Sequence, residues 1–286
     1  MLHALHALRD VHGCTLTAAS VDHGLRPEAP AEVALAGALA ASLGVPFVPL
    51  RVEVPVEASR QAAARRARYA ALLACARERG AECIAVGHTL DDQAETVLAR
   101  LLRGAGIEGL SAITPRRADG VIRPLLDCRR SEVHAYASLH ALAFAHDPSN
   151  ADERYLRVRV RHRIVPLLSA ENPQLPVHLA SLADDAREAA RVVADAGASV
   201  LARGYTDVAE LKRAPQIVRR WALKTVVERE GSRSLTRAHL TALERMLWNG
   251  GQVRVPGDMI VFIDQRGALT LQRVAKRGRG SERRRG

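Results

Sequence analysis

Apolar positions in the first half of the chain switch repeatedly between two periods. Short apolar runs at Thr15–Val21, Phe47–Val52, Cys83–Val86 and Val121–Leu125 read as strands. Between them, residues 1–10, Ala31–Leu43, Ala58–Arg79, Asp91–Leu102 and Ser131–Leu142 carry helical spacing, with Gly44 and Gly80 as stops. This alternation predicts an α/β fold, an open parallel Rossmann-like sheet with crossover helices, over residues 1–150. A doubly wound domain should open on a strand, and this chain opens on a helix. From 152 to 230 the pattern is helical, broken at Pro166, Pro173 and Pro176. Val253–Val255, Met259–Ile263 and Ala268–Leu271 then read as short strands joined by Pro256-Gly257-Asp258 and Gln265-Arg266-Gly267 turns. The expected organisation is an α/β domain at 1–150, a helical region at 151–205, a small mixed α/β region at 206–274 and a tail at 275–286.

The helix expected at Asp91–Leu102 follows its strand through Gly87-His88-Thr89-Leu90. Two adjacent carboxylates, Asp91 and Asp92, a third at Glu95, and His88 thus gather at a strand's C-terminal end, where open α/β sheets place ligands. At 3.6 residues per turn Asp92, Glu95 and Arg103 fall within roughly 80° around the axis. Ala94, Val97, Leu98, Leu101 and Leu102 take the other side. Thr89 and Asp92 have capping-box spacing, which accounts for one or two of the acids but not for all of them with His88. The carboxylate face suits a metal ion or a cationic amine.

Two basic constellations accompany it. Arg65, Arg68 and Tyr69 share a helical face, and arginine forks bind phosphate oxygens bidentately. Asp147-Pro148-Ser149-Asn150 precedes Arg154, Arg157, Arg159, Arg161, His162 and Arg163. Arg157–Arg161 alternates with period two, but the cap signals before it and Pro166 after it favour a helix. Either form is a cationic surface suited to a nucleic-acid backbone.

Charge sharpens this only in part. The net charge is +11, of which residues 273–286 hold +6, seven Lys/Arg against Glu282, so the body carries about +5. The tail reads as disordered, in RNA contact or a solubilising end. Cys14, Cys75, Cys83 and Cys128 form no Cys-x-x-Cys pair, which argues against a zinc or iron–sulfur site and suits a reducing compartment. The other histidines show no ligand spacing, so no metal site is expected. No run is long enough to span a membrane, and a soluble, cytoplasmic protein is expected.

The ordered series is more specific than any member. Val21-Asp22-His23-Gly24-Leu25-Arg26-Pro27, Gln61 to Tyr69, Gly87 to Thr96, Arg100 to Leu110, Ile122-Arg123-Pro124-Leu125-Leu126, Asp147 to Asn150 and Tyr155 to Pro166 together resemble the tRNA(Ile)-lysidine synthases, a branch of the PP-loop ATP pyrophosphatases. The resemblance is strongest over residues 15–175. It continues in Trp248-Asn249-Gly250-Gly251 to Leu271, which looks like the family's small C-terminal substrate-binding region. It implies ligation of free lysine to the wobble cytidine of tRNA(Ile) with a CAU anticodon, through an adenylated cytidine, with ATP and Mg2+ and release of AMP and pyrophosphate. By the same resemblance Asp92 and Glu95 would hold the lysine ammonium, and Arg68 and Arg103 would serve catalysis. Asp22, His23 and His88 would line the nucleotide site, Arg157, Arg159, Arg161 and His162 would meet tRNA, and a homodimer is compatible.

Departures are visible. The family's Arg-Asn-x-x-Arg is Arg157-Val158-Arg159-Val160-Arg161 here, and Asp22 stands where Asn is common. The family's first strand and Ser-Gly-Gly-x-Asp-Ser phosphate loop would precede the helix that starts at Met1. The expectation is that Met1 is an internal methionine with that loop encoded upstream, and that the chain as written has unpaired strand edges and binds ATP weakly. The alternatives are a PP-loop tRNA thiolation enzyme, which the scattered cysteines disfavour, and an inactive RNA-binding remnant.

Overall fold

A computed structural model describes residues 1–55, 60–145, 152–204, 207–232 and 235–274. The Asp147–Asn150 segment and the basic tail at 275–286 lie outside them. The chain divides into two compact units, residues 1–185 and 186–286. This division differs from the expected boundaries at 150 and 205, because Val160, Ile164, Val165 and Leu168 pack with residues of the α/β portion in one apolar cluster.

In the first unit, α1 (Leu2–Leu8) leads into β1 (Ala18–Asp22), α2 (Ala29–Ser42), β2 (Phe47–Arg51) and α3 (Arg60–Glu78). β3 (Ile84–Ala85), α4 (Leu90–Leu101), α5 (Ile107–Leu110), β4 (Val121–Ile122) and α6 (Arg130–Leu139) follow. β1 pairs with β2 in parallel, from Ala18 opposite Phe47 to Asp22 opposite Arg51. β3 pairs with β4 in parallel, Ile84 opposite Val121 and Ala85 opposite Ile122. The α/β fold is thus present as two short parallel ladders, and α3 packs on both β1 and β3. Among the described residues, each of these sheets has two strands.

Helix α4 has the capping box read from the sequence: the Asp92 N–H donates to the Thr89 hydroxyl, and the Thr89 N–H donates to the Asp92 carboxylate. Its buried face, Ala94, Val97, Leu98 and Ala99, packs with Val160, Leu179 and Ala183. Leu101 and Leu102, expected on that face, are exposed instead: they end the helix beyond the reach of this cluster. Gln93, also buried, fixes the neighbouring loop by donating to the Ile113 carbonyl and accepting from the Ile113 N–H.

Residues 157–161 are helical, as favoured. α7 (Leu156–Arg159) runs into a π-helical turn at Val160–Ile164 and then α8 (Val165–Glu171). The Val165 N–H donates five residues back, to the Val160 carbonyl. The wide turn has a local cause: Pro166 cannot donate, and its ring would press on the carbonyl four residues earlier. It also holds Arg157 and Arg161 against α4 while Val158 and Val160 face the core.

The long helix α9 (Leu175–Gly204) runs through the division. In the second unit, α10 (Val208–Arg213), α11 (Gln216–Arg229) and α12 (Arg237–Asn249) join the antiparallel strands β5 (Gln252–Val255), β6 (Met259–Ile263) and β7 (Leu269–Arg273). Leu211, Leu223, Leu243, Leu247, Met259 and Leu269 are its fully buried centre.

Candidate active site

The first turn of α4 lies just past the C-terminal end of β3, and it is there that charge concentrates. Glu95 is 1% exposed. A bare carboxylate at that depth would be costly, so it needs compensation. Three guanidiniums supply it. Arg161 grips Glu95 as a fork, Nε to Oε1 at 2.7 Å and an NH2 to Oε2 at 2.9 Å. Arg130 donates to Oε1 at 3.1 Å and Arg157 to Oε2 at 3.2 Å. The same three reach Asp92 Oδ1, Arg157 at 2.8 Å, Arg130 at 3.1 Å and Arg161 at 3.4 Å. Asp92 Oδ2 accepts from the Thr89 N–H at 2.9 Å. Burial alone would raise the Asp92 pKa, but the Thr89 N–H and the Arg157 and Arg130 charges outweigh it and hold it below the usual carboxylate range. The bond to Glu95 raises the Arg161 pKa despite burial.

Arg130 was not singled out from sequence. It is the first residue of α6, and its N–H donates to Asp91 Oδ2 at 2.6 Å, while the Leu90 N–H donates to the Cys128 carbonyl at 2.9 Å. The starts of α4 and α6 are thereby tied together. The sequence signal was slight: Arg129-Arg130 before Ser131-Glu132, with Glu132 capping the Arg129 N–H at 2.6 Å.

Beside the carboxylates, a cavity of about 260 Å³ is lined by Arg65, Arg68, His88, Asp92, Arg157, Val158 and Arg161. Four guanidiniums against one carboxylate make it an anion site. Arg65 and Arg68 lie over the buried Tyr69 ring at 5.0 and 5.6 Å, and Arg117 joins them at 4.9 Å. Burial lowers the Arg68 pKa, and Arg65 and Arg157 lower it further against Tyr69. His88 is pushed down to about 4, first by burial, then by Arg123, Arg65 and Arg157 against the opposing pull of Asp92. At the end of β1, burial and then Arg68 lower the His23 pKa against Asp22. Asp22 Oδ1 accepts the Gly24 N–H at 2.7 Å, closing a turn in which Gly24 has φ +62°, a conformation glycine adopts without strain. The Nδ1 atoms of His23 and His88 are both buried without a hydrogen-bond partner among the described residues.

The structure therefore brings together Arg68, His88, Asp92, Glu95, Arg157 and Arg161, with His23 beside Arg68. It leaves three expected residues outside. Arg103 lies past the end of α4, exposed and beside Arg100, because the helix stops at Leu101 before its spacing can return Arg103 to the acidic face. Arg159 turns away to donate to the Glu153 and Arg154 carbonyls at 2.7 and 2.8 Å. His162 is exposed and follows Arg161 within the π turn.

His88 makes a titration prediction. With its pKa lowered from 6.5 to about 4, it is uncharged at neutral pH in the folded chain. As pH falls below 6.5 the unfolded chain takes up this proton first, so its contribution to stability is lost progressively down to about 4. A ring-proton NMR titration should give a His88 midpoint near 4; a midpoint near 6.5 would contradict the buried, cation-flanked setting.

A family model described as a PP-loop domain matches residues 1–168, a span holding both parallel ladders, α4 and Arg157–Arg163. The class is that of PP-loop proteins. The tRNA(Ile)-lysidine synthase of Ralstonia nicotianae is 40% identical over 278 residues, covering 91% of this chain and 59% of that protein. The synthase of Methylobacterium nodulans is 45% identical over 192 residues, covering 65% and 56%. That of Nocardia farcinica is 37% identical over 290 residues, covering 96% of this chain and 89% of the relative. The chain belongs to the tRNA(Ile)-lysidine synthase family, and it spans under three-fifths of the length of the first two of these relatives. Among solved structures, the U34-tRNA thiolase NcsA from Methanococcus maripaludis, with its 4Fe-4S cluster, matches with a TM-score of 0.55 at 17% identity, over 64% of this chain and 67% of that one. That likeness is one of fold.

Proposed function

We propose that this chain carries the active site of a tRNA-modifying ligase that joins lysine to the wobble cytidine of tRNA(Ile) with a CAU anticodon. The observation that carries the reading is Asp92 on the wall of an arginine-lined cavity, with Glu95 buried and bonded to the same three arginines. Carboxylates suit the ammonium of lysine, and the guanidiniums suit phosphates. The cytosine carbonyl oxygen attacks the α-phosphorus of ATP and pyrophosphate leaves; the lysine ε-amine then attacks the activated ring carbon and AMP leaves. Arg68 and Arg65 balance phosphate charge, and Arg157 lies between the two charge types. The unpartnered Nδ1 atoms of His23 and His88 fit contacts with the nucleotide. His88, uncharged at neutral pH and facing the same cavity as Asp92, can meet the nucleotide as a neutral ring, and with a pKa of about 4 it is too weak a base to take the proton from the lysine ammonium.

The lysine site is not vacant. Two carboxylates already hold three guanidiniums, so an entering ammonium must displace one. Arg157 is the most exposed, its side chain 45% accessible against 30% for Arg130 and 23% for Arg161. It is the cation proposed to move. Neither carboxylate is spare for a metal, so Mg2+ would come with the ATP phosphates and waters.

The test supplies the protein with tRNA(Ile) transcript, ATP and labelled lysine. Lysine incorporation with one AMP and one pyrophosphate per event is the expected result. Sulfur incorporation without lysine would favour the thiolation chemistry named for the structural neighbour, and RNA binding without turnover would favour an inactive remnant.

A further inference from the structure

In the second unit a tryptophan stands out of the surface beside cations that hold it there. Trp248, in the last turn of α12, is 56% exposed although the chain has only two tryptophans. Lys212 Nζ lies 5.3 Å from its ring centroid and the Arg219 guanidinium 5.7 Å. Arg219 is itself anchored: it is buried, it donates to Glu244 Oε1 at 3.3 Å and to the Ala214 carbonyl at 3.0 Å, and Arg220 and Gln216 complete the bonding of Glu244. A buried ion pair of this kind contributes little net stability, but here it fixes a guanidinium under an exposed indole.

Cations also line one stripe of α12. At 100° per residue, Arg237, Thr241, Arg245 and Trp248 fall within about 80° on α12. Arg237 and Arg245 are exposed, and Glu244, the acid nearest that stripe, is buried and paired. Arg213 is exposed next to Lys212 and is paired with Glu210 Oε1 at 2.7 Å. An exposed aromatic ring beside Lys212 and Arg219, on a stripe with no exposed acid among the described residues, offers what a flexible nucleic-acid strand needs: a π face for a base and cations for the flanking phosphates.

We infer that Trp248 is a stacking platform for an unpaired nucleotide of the RNA substrate, with Lys212 and Arg245 on the adjoining phosphates. This rests on the reading that the substrate is tRNA, and it adds a contact separate from the carboxylate site. A regular duplex would hide its base faces, so the occupant is a loop, bulge or single-stranded end.

The experiment uses the full chain with Trp221→Phe, leaving Trp248 as sole indole, and follows its fluorescence on adding tRNA transcript. Expected are saturable quenching by tRNA, little quenching by polyphosphate, which has charge but no bases, and about tenfold weaker tRNA binding for Trp248→Ala in the otherwise unaltered chain, largely restored by Trp248→Phe. Trp248→Ala should unfold like the parent, since its side chain is mostly in solvent. Equal quenching by polyphosphate would mean a purely electrostatic contact and would overturn stacking. Unchanged affinity in Trp248→Ala and silent fluorescence, with tRNA still bound, would overturn this contact alone. No tRNA binding by the parent chain would overturn it together with the tRNA reading, and quenching only by an acidic peptide would assign the surface to a protein partner.

Discussion

Glu95→Gln should lower the melting temperature of the chain by roughly 10 °C and abolish lysine ligation. The carboxylate is almost wholly buried and accepts four bonds from three arginines. An amide keeps the shape but removes the charge, and its NH2 turns toward guanidinium donors that it cannot satisfy. Breaking a buried pair by neutralising one partner costs about 3–5 kcal/mol, because the opposite charge is left uncompensated. At roughly 2–4 °C per kcal/mol for a unit of this size, the shift follows. The sharper check is a double substitution. Glu95→Gln with Arg161→Met removes the stranded guanidinium, so it should recover part of the lost stability, the two single effects summing to more than the double. Additive losses would mean that Arg161 is compensated elsewhere and that Glu95 is held by packing alone.

The fate of Glu95 also shows where sequence reading stops. Its helix, cap and face were legible: Thr89 and Asp92 have capping-box spacing, and the apolar side at Ala94, Val97 and Leu98 has helical periodicity. So were the strands, within a residue or two at most ends, because Gly44 and Gly80 punctuate the pattern. That Arg157–Arg161 is helical followed from flanking signals against its own period of two; Val158, in α7, and Val160, at the start of the π turn, are both buried all the same. The acids were read as a face open to a ligand, whereas three arginines cover it. Two of those come from 62 to 69 residues away and one from 35 to 38, and nothing local announces such pairings. Arg130 was invisible because an arginine at a helix start is ordinary. Arg103 was misplaced because ideal periodicity was carried past the point where α4 ends.

The second large effect concerns lysine itself. Asp92→Asn should raise the KM for lysine on the order of 100-fold while changing kcat much less, and Arg157→Ala should move it the other way. Asp92 is nearer the cavity than Glu95, with a side chain 14% accessible against 2%, and it lines the cavity wall. A charge-assisted bond to an ammonium there is worth about 1.5–3 kcal/mol, which sets the size of the KM effect. Arg157 holds Asp92 Oδ1 at 2.8 Å from a half-exposed position, so in the resting state it competes with the incoming ammonium. Half-exposed pairs are weak, about 1 kcal/mol or less, and removing this one should lower the lysine KM by up to about fivefold. If Arg157 also swings onto phosphates once displaced, its loss will lower kcat even as lysine binds better, a split that simple loss of folding cannot produce. Steady-state kinetics with lysine varied at saturating tRNA and ATP separates these outcomes. A lysine KM unchanged in Asp92→Asn would remove the carboxylate pair from substrate binding and leave it as a clamp between α4, α6 and α7.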